Sequence, residues 1–196
     1  MKLHRLRSTA RTAVPMLSLL AALALPVHAA EVAGVRIEDR VALGNTELLL
    51  NGAGVRTKMF VKVYVGALYA TQKSSAPAAL IDAATPRRMV LRMLRDVDAE
   101  TLFNALRDGL HDNNSEAELA ALKGQPEQFA EIMKRIGTAK SGDTVALDFL
   151  SDGVGVSLNG EARGKVAGAA FARALLKVWL GDNPADGALK KALLAG

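Results

Sequence analysis

Arg56 stands in the run NGAGVRTKMFVKVYVGALYA, residues 51–70, between a pair of glycines and a stretch of alternating apolar residues. An arginine fork matches a carboxylate or a developing oxyanion through two parallel hydrogen bonds, and the phenol of Tyr64, eight residues on, can add a third. Beside a largely apolar wall, such a cation is either a paired structural arginine or an anion-binding group. Gly52 and Gly54 permit backbone conformations closed to other residues and predict a turn at NGAGVR. From Phe60 onward, strand alternation puts Phe60, Lys62, Tyr64, Gly66 and Leu68 on one face, with Val61, Val63, Val65, Ala67 and Tyr69 on the other.

The rest of the chain offers few other reactive groups. There is no cysteine, and the histidines are His4, His28 and His111. A Cys/His zinc site, a Cys–His nucleophile pair and a two-histidine metalloprotease helix all need residues that are missing. His111 lies in the polar run HDNNSEAE and reads as a surface residue. No glycine-rich dinucleotide fingerprint or Walker-type loop is present, and the acidic stretch 108–118 lacks EF-hand spacing. Neither a metal nor a cofactor is expected.

The first residues have the layout of a secretory leader. Lys2, Arg5, Arg7 and Arg11 precede an apolar run from Thr12 to Leu25, Pro26 breaks it, and the small residues Val27 and Ala29 suit cleavage after Ala29. The apolar core is short for a membrane span. The expected organisation is therefore a signal peptide over 1–29 and a single domain over 30–196, exported, and periplasmic in a Gram-negative host. Removing the four leader cations leaves 21 Lys and Arg against 20 Asp and Glu, a net of +1. The basicity thus belongs to the leader, and with no basic stripe on the domain, no nucleic-acid partner is expected. A cysteine-free domain of this length buries enough core to stand alone as a monomer.

Element signals follow in order. Gly34–Asp39 and Thr46–Leu50 read as strands joined at Gly44–Asn45; segment 71–86 reads as a connection or short helix, and Arg88–Leu94 as another strand. Asp98 caps a helix that ends near Asn113–Asn114, Ser115 with Glu118 forms a capping box, and Gly124–Gln125–Pro126 interrupts the following apolar stripe. Strands at 145–150 and 154–158 flank hairpin signals at Asp152–Gly153 and Asn159–Gly160. A helix from about Lys165 to Leu180 and a terminal one at 186–194 complete the pattern. Together they predict an α+β fold, an antiparallel sheet with helices on one face.

NGAGVR, FVKVYVGALY, LRMLRDVDAETLFNAL and FARALLKVWLGDNP, in that order, resemble the chalcone isomerase-like proteins over nearly the whole expected domain. The resemblance implies an open-faced β-sandwich with a cleft between sheet and helices. Its plant enzymes cyclise chalcones, and other members bind fatty acids. By that likeness Arg56 matches the arginine that holds the substrate oxyanion, and Asn104 matches a site asparagine. Tyr64 replaces a water-ordering threonine, Val97 replaces a tyrosine, and no threonine follows Thr144 to match a second one. The departures favour the fatty-acid-binding type, with Arg56, Tyr64 and Asn104 around a small amphipathic anion. The alternatives are an intramolecular lyase (isomerase) acting on an enone with Arg56 as catalytic group, and an envelope interaction module without a small ligand.

Overall fold

The computed structural model describes residues 29–195, so all of the leader expected over 1–29 except Ala29 lies outside the described residues. A short hairpin, β1 (Ala29–Val32) with β2 (Val35–Glu38), precedes β3 (Arg40–Leu43), β4 (Thr46–Lys58) and β5 (Val61–Ala70). A one-turn helix, α1 (Pro77–Ile81), leads into β6 (Arg87–Met93). The helical layer is α2 (Ala99–Asn113), α3 (Glu116–Ala121) and α4 (Gln125–Ile136), bracketed by the two-residue strands β7 (Val97–Asp98) and β8 (Thr138–Ala139). The chain returns to the sheet as β9 (Thr144–Leu150), β10 (Gly153–Leu158) and β11 (Glu161–Ala167), then ends in α5 (Ala169–Leu180) and α6 (Gly187–Leu193). The main sheet is antiparallel throughout, in the order β11-β10-β9-β6-β5-β4-β3.

The helices pack on one face, where Phe129, Phe171, Leu175 and Trp179 close a core over Leu68, Met89, Leu91 and Leu147. The opposite face carries a smaller cluster of Ile37, Leu48, Val65, Ala67 and Tyr69 beneath the β1–β2 hairpin. Local signals account for most helix starts. The Asp98 carboxylate accepts from the amides of Glu100 at 2.8 Å and Thr101 at 3.4 Å, and Ser115 and Glu118 form the full reciprocal capping box.

NGAGVR departs from the expected turn. It is the interior of β4, and neither Gly52 nor Gly54 has a positive φ. A Cβ on Gly52 would lie 2.2 Å from the Ala192 carbonyl oxygen, and one on Gly54 would lie 2.6 Å from the Ala192 Cβ. The glycines are there so that α6 can lie directly on the strand. Asn51, the extra residue of a β-bulge between Leu50 and Gly52, locks this contact from a buried position. Its Nδ2 donates to the carbonyls of Leu193 at 2.7 Å and Ser74 at 3.0 Å, and its Oδ1 accepts from the Ser74 amide at 2.7 Å.

The chain instead reverses at Met59–Phe60, and β5 begins at Val61, one residue later than the start expected at Phe60. A second bulge lies between the pairs Arg56–Tyr64 and Thr57–Lys62. Cross-strand partners share a face, so Lys58 and Val61 fall on the side of Arg56 and Tyr64, and Lys62 falls on the other. The strict alternation that put Lys62 beside Tyr64 breaks at this inserted residue.

Two strands of the main sheet went unforeseen. Arg40–Leu43 pairs with β4, and Glu161–Ala167 forms a sheet edge where a helix from Lys165 was expected. The Asn159–Gly160 hairpin sends the chain back along β10, and the polar sequence EARGKVA suits an edge whose outer face meets water. The helix therefore begins at Ala169.

Candidate functional site

Arg56 and Tyr64 are cross-strand partners near the hairpin end of β4 and β5. The Arg56 guanidinium carbon lies 5.8 Å from the centre of the Tyr64 ring, within the range of a cation–π contact. Among the described residues Arg56 forms no ion pair, and its Nε is buried without a hydrogen-bond partner. The neighbouring carboxylate, Asp186, is already engaged. Its Oδ1 accepts from the Leu189 amide at 2.9 Å, capping α6, and its Oδ2 accepts from the Thr57 amide at 2.9 Å. A buried arginine donor left without an acceptor costs free energy, so Arg56 is not explained as a structural ion pair.

Arg56 lines a cleft of about 380 Å³ between the β4–β5 hairpin and the start of α2. Val61, Val63, Val97, Leu102 and Ala105 supply apolar wall; Lys58 and Arg95 add cations, and Asp96 and Asp98 add carboxylates. The two acids are held by backbone donors: Asp96 accepts from the Ser141 amide at 2.8 Å, and Asp98 caps α2. The cleft is therefore an apolar slot whose wall carries three cations without an ion pair among the described residues, Arg56, Arg95 and Lys58, and of these Arg56 has a buried donor lacking an acceptor. A larger cleft of about 710 Å³ on the opposite sheet face is floored by Arg88 and Asp148. These two neutralise each other through a fork of 2.5 and 2.8 Å, Arg36 pairs with Glu38, and Arg92 donates to the Thr144 hydroxyl at 2.6 Å.

The other two expected site residues take different places. Tyr64 is 2% exposed and is absent from the cleft wall. Its oxygen accepts from Trp179 Nε1 at 2.9 Å, and burial pushes its pKa up to about 12, against the opposing pull of Arg56. Tyr64 thus supports Arg56 from behind. Asn104 is half-buried on α2, beside Thr101, Leu102 and Ala105, but does not itself line the cleft. Trp179 carried no pairing signal, because no sequence pattern links residues 115 positions apart. The cleft wall on β5 was hidden by the bulge that brings Val61 onto Arg56's face.

Tyr64→Phe strands the Trp179 N–H in the core, at 1% exposure. The expected loss of stability is roughly 1–3 kcal/mol, measured by urea denaturation. An unchanged midpoint and slope would show that the bond contributes nothing.

The sequence profile of the chalcone isomerase-like family matches residues 29–195. The chain belongs to that family. Among solved structures, this chalcone isomerase-like protein is similar to a fatty-acid binding protein of Arabidopsis thaliana. The TM-score is 0.64 at 16% identity, covering 82% of this chain and 92% of that one. At that identity the likeness shows the fold, which is the expected α+β open-faced sandwich. A comparison with curated protein sequences gives no match.

Proposed function

We propose that this chalcone isomerase-like protein binds a small amphipathic anion of the fatty-acid class, its carboxylate on Arg56 and its tail along Val61, Val63, Val97, Leu102 and Ala105. The observation that carries the reading is the Arg56 guanidinium, unpaired and with its Nε buried, at the wall of an apolar cleft. A carboxylate supplies the acceptor this group lacks, and apolar walls stabilise an acyl chain by about 25 cal/mol per Å² buried. The printed name of the Arabidopsis neighbour supports the same ligand class. A volume of about 380 Å³ is at the small end of ligand pockets, which favours a short or medium-length tail.

The lyase reading needs a hydroxyl beside the arginine to position water. Tyr64 turns its hydroxyl to Trp179 and Val97 brings none, so the reading would need the Thr101 hydroxyl at the cleft wall and a water held by it. Holding a ligand requires neither. The N-terminal charge and hydropathy pattern supports export, to the periplasm in a Gram-negative host.

Native mass spectrometry of protein from its own host reads both aspects. The expected result is a chain beginning near Ala30 with a bound mass in the fatty-acid range. Added medium-chain fatty acid at a hundred times Kd is expected to raise Tm by roughly 5–10 °C. A ligand-free mass together with no thermal shift across chain lengths would reject the binding reading.

A further inference from the structure

The exposed large apolar side chains among the described residues are three consecutive ones: Met59 at 84%, Phe60 at 101% and Val61 at 41%. They form the tip of the β4–β5 hairpin. Lys58 and Lys62 flank them, both exposed, and Arg95 is exposed on the adjoining wall of the cleft. Met59 and Phe60 both have positive φ, 48° and 67°. The hairpin at Asn159–Gly160 makes the same kind of two-residue reversal at 54° and 82° with the residues that favour it. At Met59–Phe60 the same backbone is imposed on two bulky side chains that resist it and that touch little of the fold. Neither the strain nor the exposure benefits the isolated domain.

From this combination we infer that the hairpin tip inserts into the surface of an anionic phospholipid bilayer. A convex tip of three residues is too small for a stable protein interface, which takes about 800 Å² from each partner. It suits an interfacial anchor, in which apolar and aromatic side chains enter the headgroup–acyl boundary while lysines meet lipid phosphates. The cleft acids Asp96 and Asp98 stay charged while accepting from backbone amides, and the exposed cations Lys58, Lys62 and Arg95 outnumber them at this end. Insertion stands independently of any ligand. If the fatty-acid reading also holds, Met59 and Val61 line both tip and cleft, which puts the mouth of the cleft at the membrane.

The test uses the full-length chain carrying Phe60→Trp and vesicles of phosphatidylcholine with or without phosphatidylglycerol, with no fatty acid added. Trp179 is buried and gives a constant background. The expected result is a blue-shifted indole emission quenched by brominated acyl chains, strong on anionic vesicles and weakened by salt. Lys58→Glu with Lys62→Glu is expected to weaken binding roughly fivefold per lysine. Met59→Asn with Phe60→Gly is expected to lower vesicle binding roughly tenfold or more while leaving Tm unchanged or raised, since it installs the favoured turn. An introduced indole that stays in water on both vesicles would overturn the inference, even if the N-terminal segment carries the protein onto them. So would a blue shift that needs only protein concentration, which indicates a second copy, or a fall in Tm in the turn variant, which indicates a structural role for the tip.

Discussion

Arg56→Ala is expected to lower affinity for a medium-chain fatty acid roughly ten- to a hundredfold, the loss of a charge-assisted hydrogen bond worth about 1.5–3 kcal/mol. Isothermal titration with the acid and with the alcohol of equal length separates charge recognition from apolar burial. The native protein should prefer the acid, and the variant should bind both alike. Arg56→Lys should recover part of the preference, because an ammonium keeps the charge but not the planar fork. Thermal stability of the unliganded protein should hold or rise, since the substitution removes a buried Nε that has no partner. A ligand that binds the variant as tightly as the native protein would place the carboxylate elsewhere.

Gly52→Ala should be strongly damaging. Its Cβ would meet the Ala192 oxygen at 2.2 Å and the Leu193 oxygen at 2.7 Å, both backbone atoms that no rotamer change can move. Leu193 is also held by Asn51, so α6 cannot lift away without breaking that bond. The expected cost is about 3 kcal/mol, or roughly 6–12 °C in Tm. Gly155→Ala on β10 is the control: its Cβ would sit 3.6 Å from the Asp148 Cβ, an ordinary contact. That variant should be neutral or slightly stabilised, since alanine loses less chain entropy on folding. Equal melting temperatures for the two variants would mean that α6 does not seal against β4.

The tight packing of α6 also bears on the site, because the strand that carries Gly52 and Gly54 reaches Arg56 two residues later. Asp186, which caps α6, also accepts from the Thr57 amide and so ties the start of the helix to the residue beside Arg56.

What the sequence determined by itself was local. Asp98, the Ser115–Glu118 box, the Asn159–Gly160 hairpin and the Asp186 cap each act across three residues or fewer, so the chain displays them directly. The ordered segments that carry the family resemblance likewise pointed to the α+β sandwich and to Arg56. The tertiary structure decided what depends on distant partners. Glycines read as a turn proved to be the floor beneath a helix 140 residues away. A bulge moved Lys62 off the face of Tyr64 and brought Val61 onto it. Tyr64 itself was claimed by Trp179, which leaves Arg56 at the cleft wall with an open donor. Side-chain periodicity is a property of one strand, whereas burial, close approach and the competition for hydrogen-bond partners exist only once the sheet and helices are assembled.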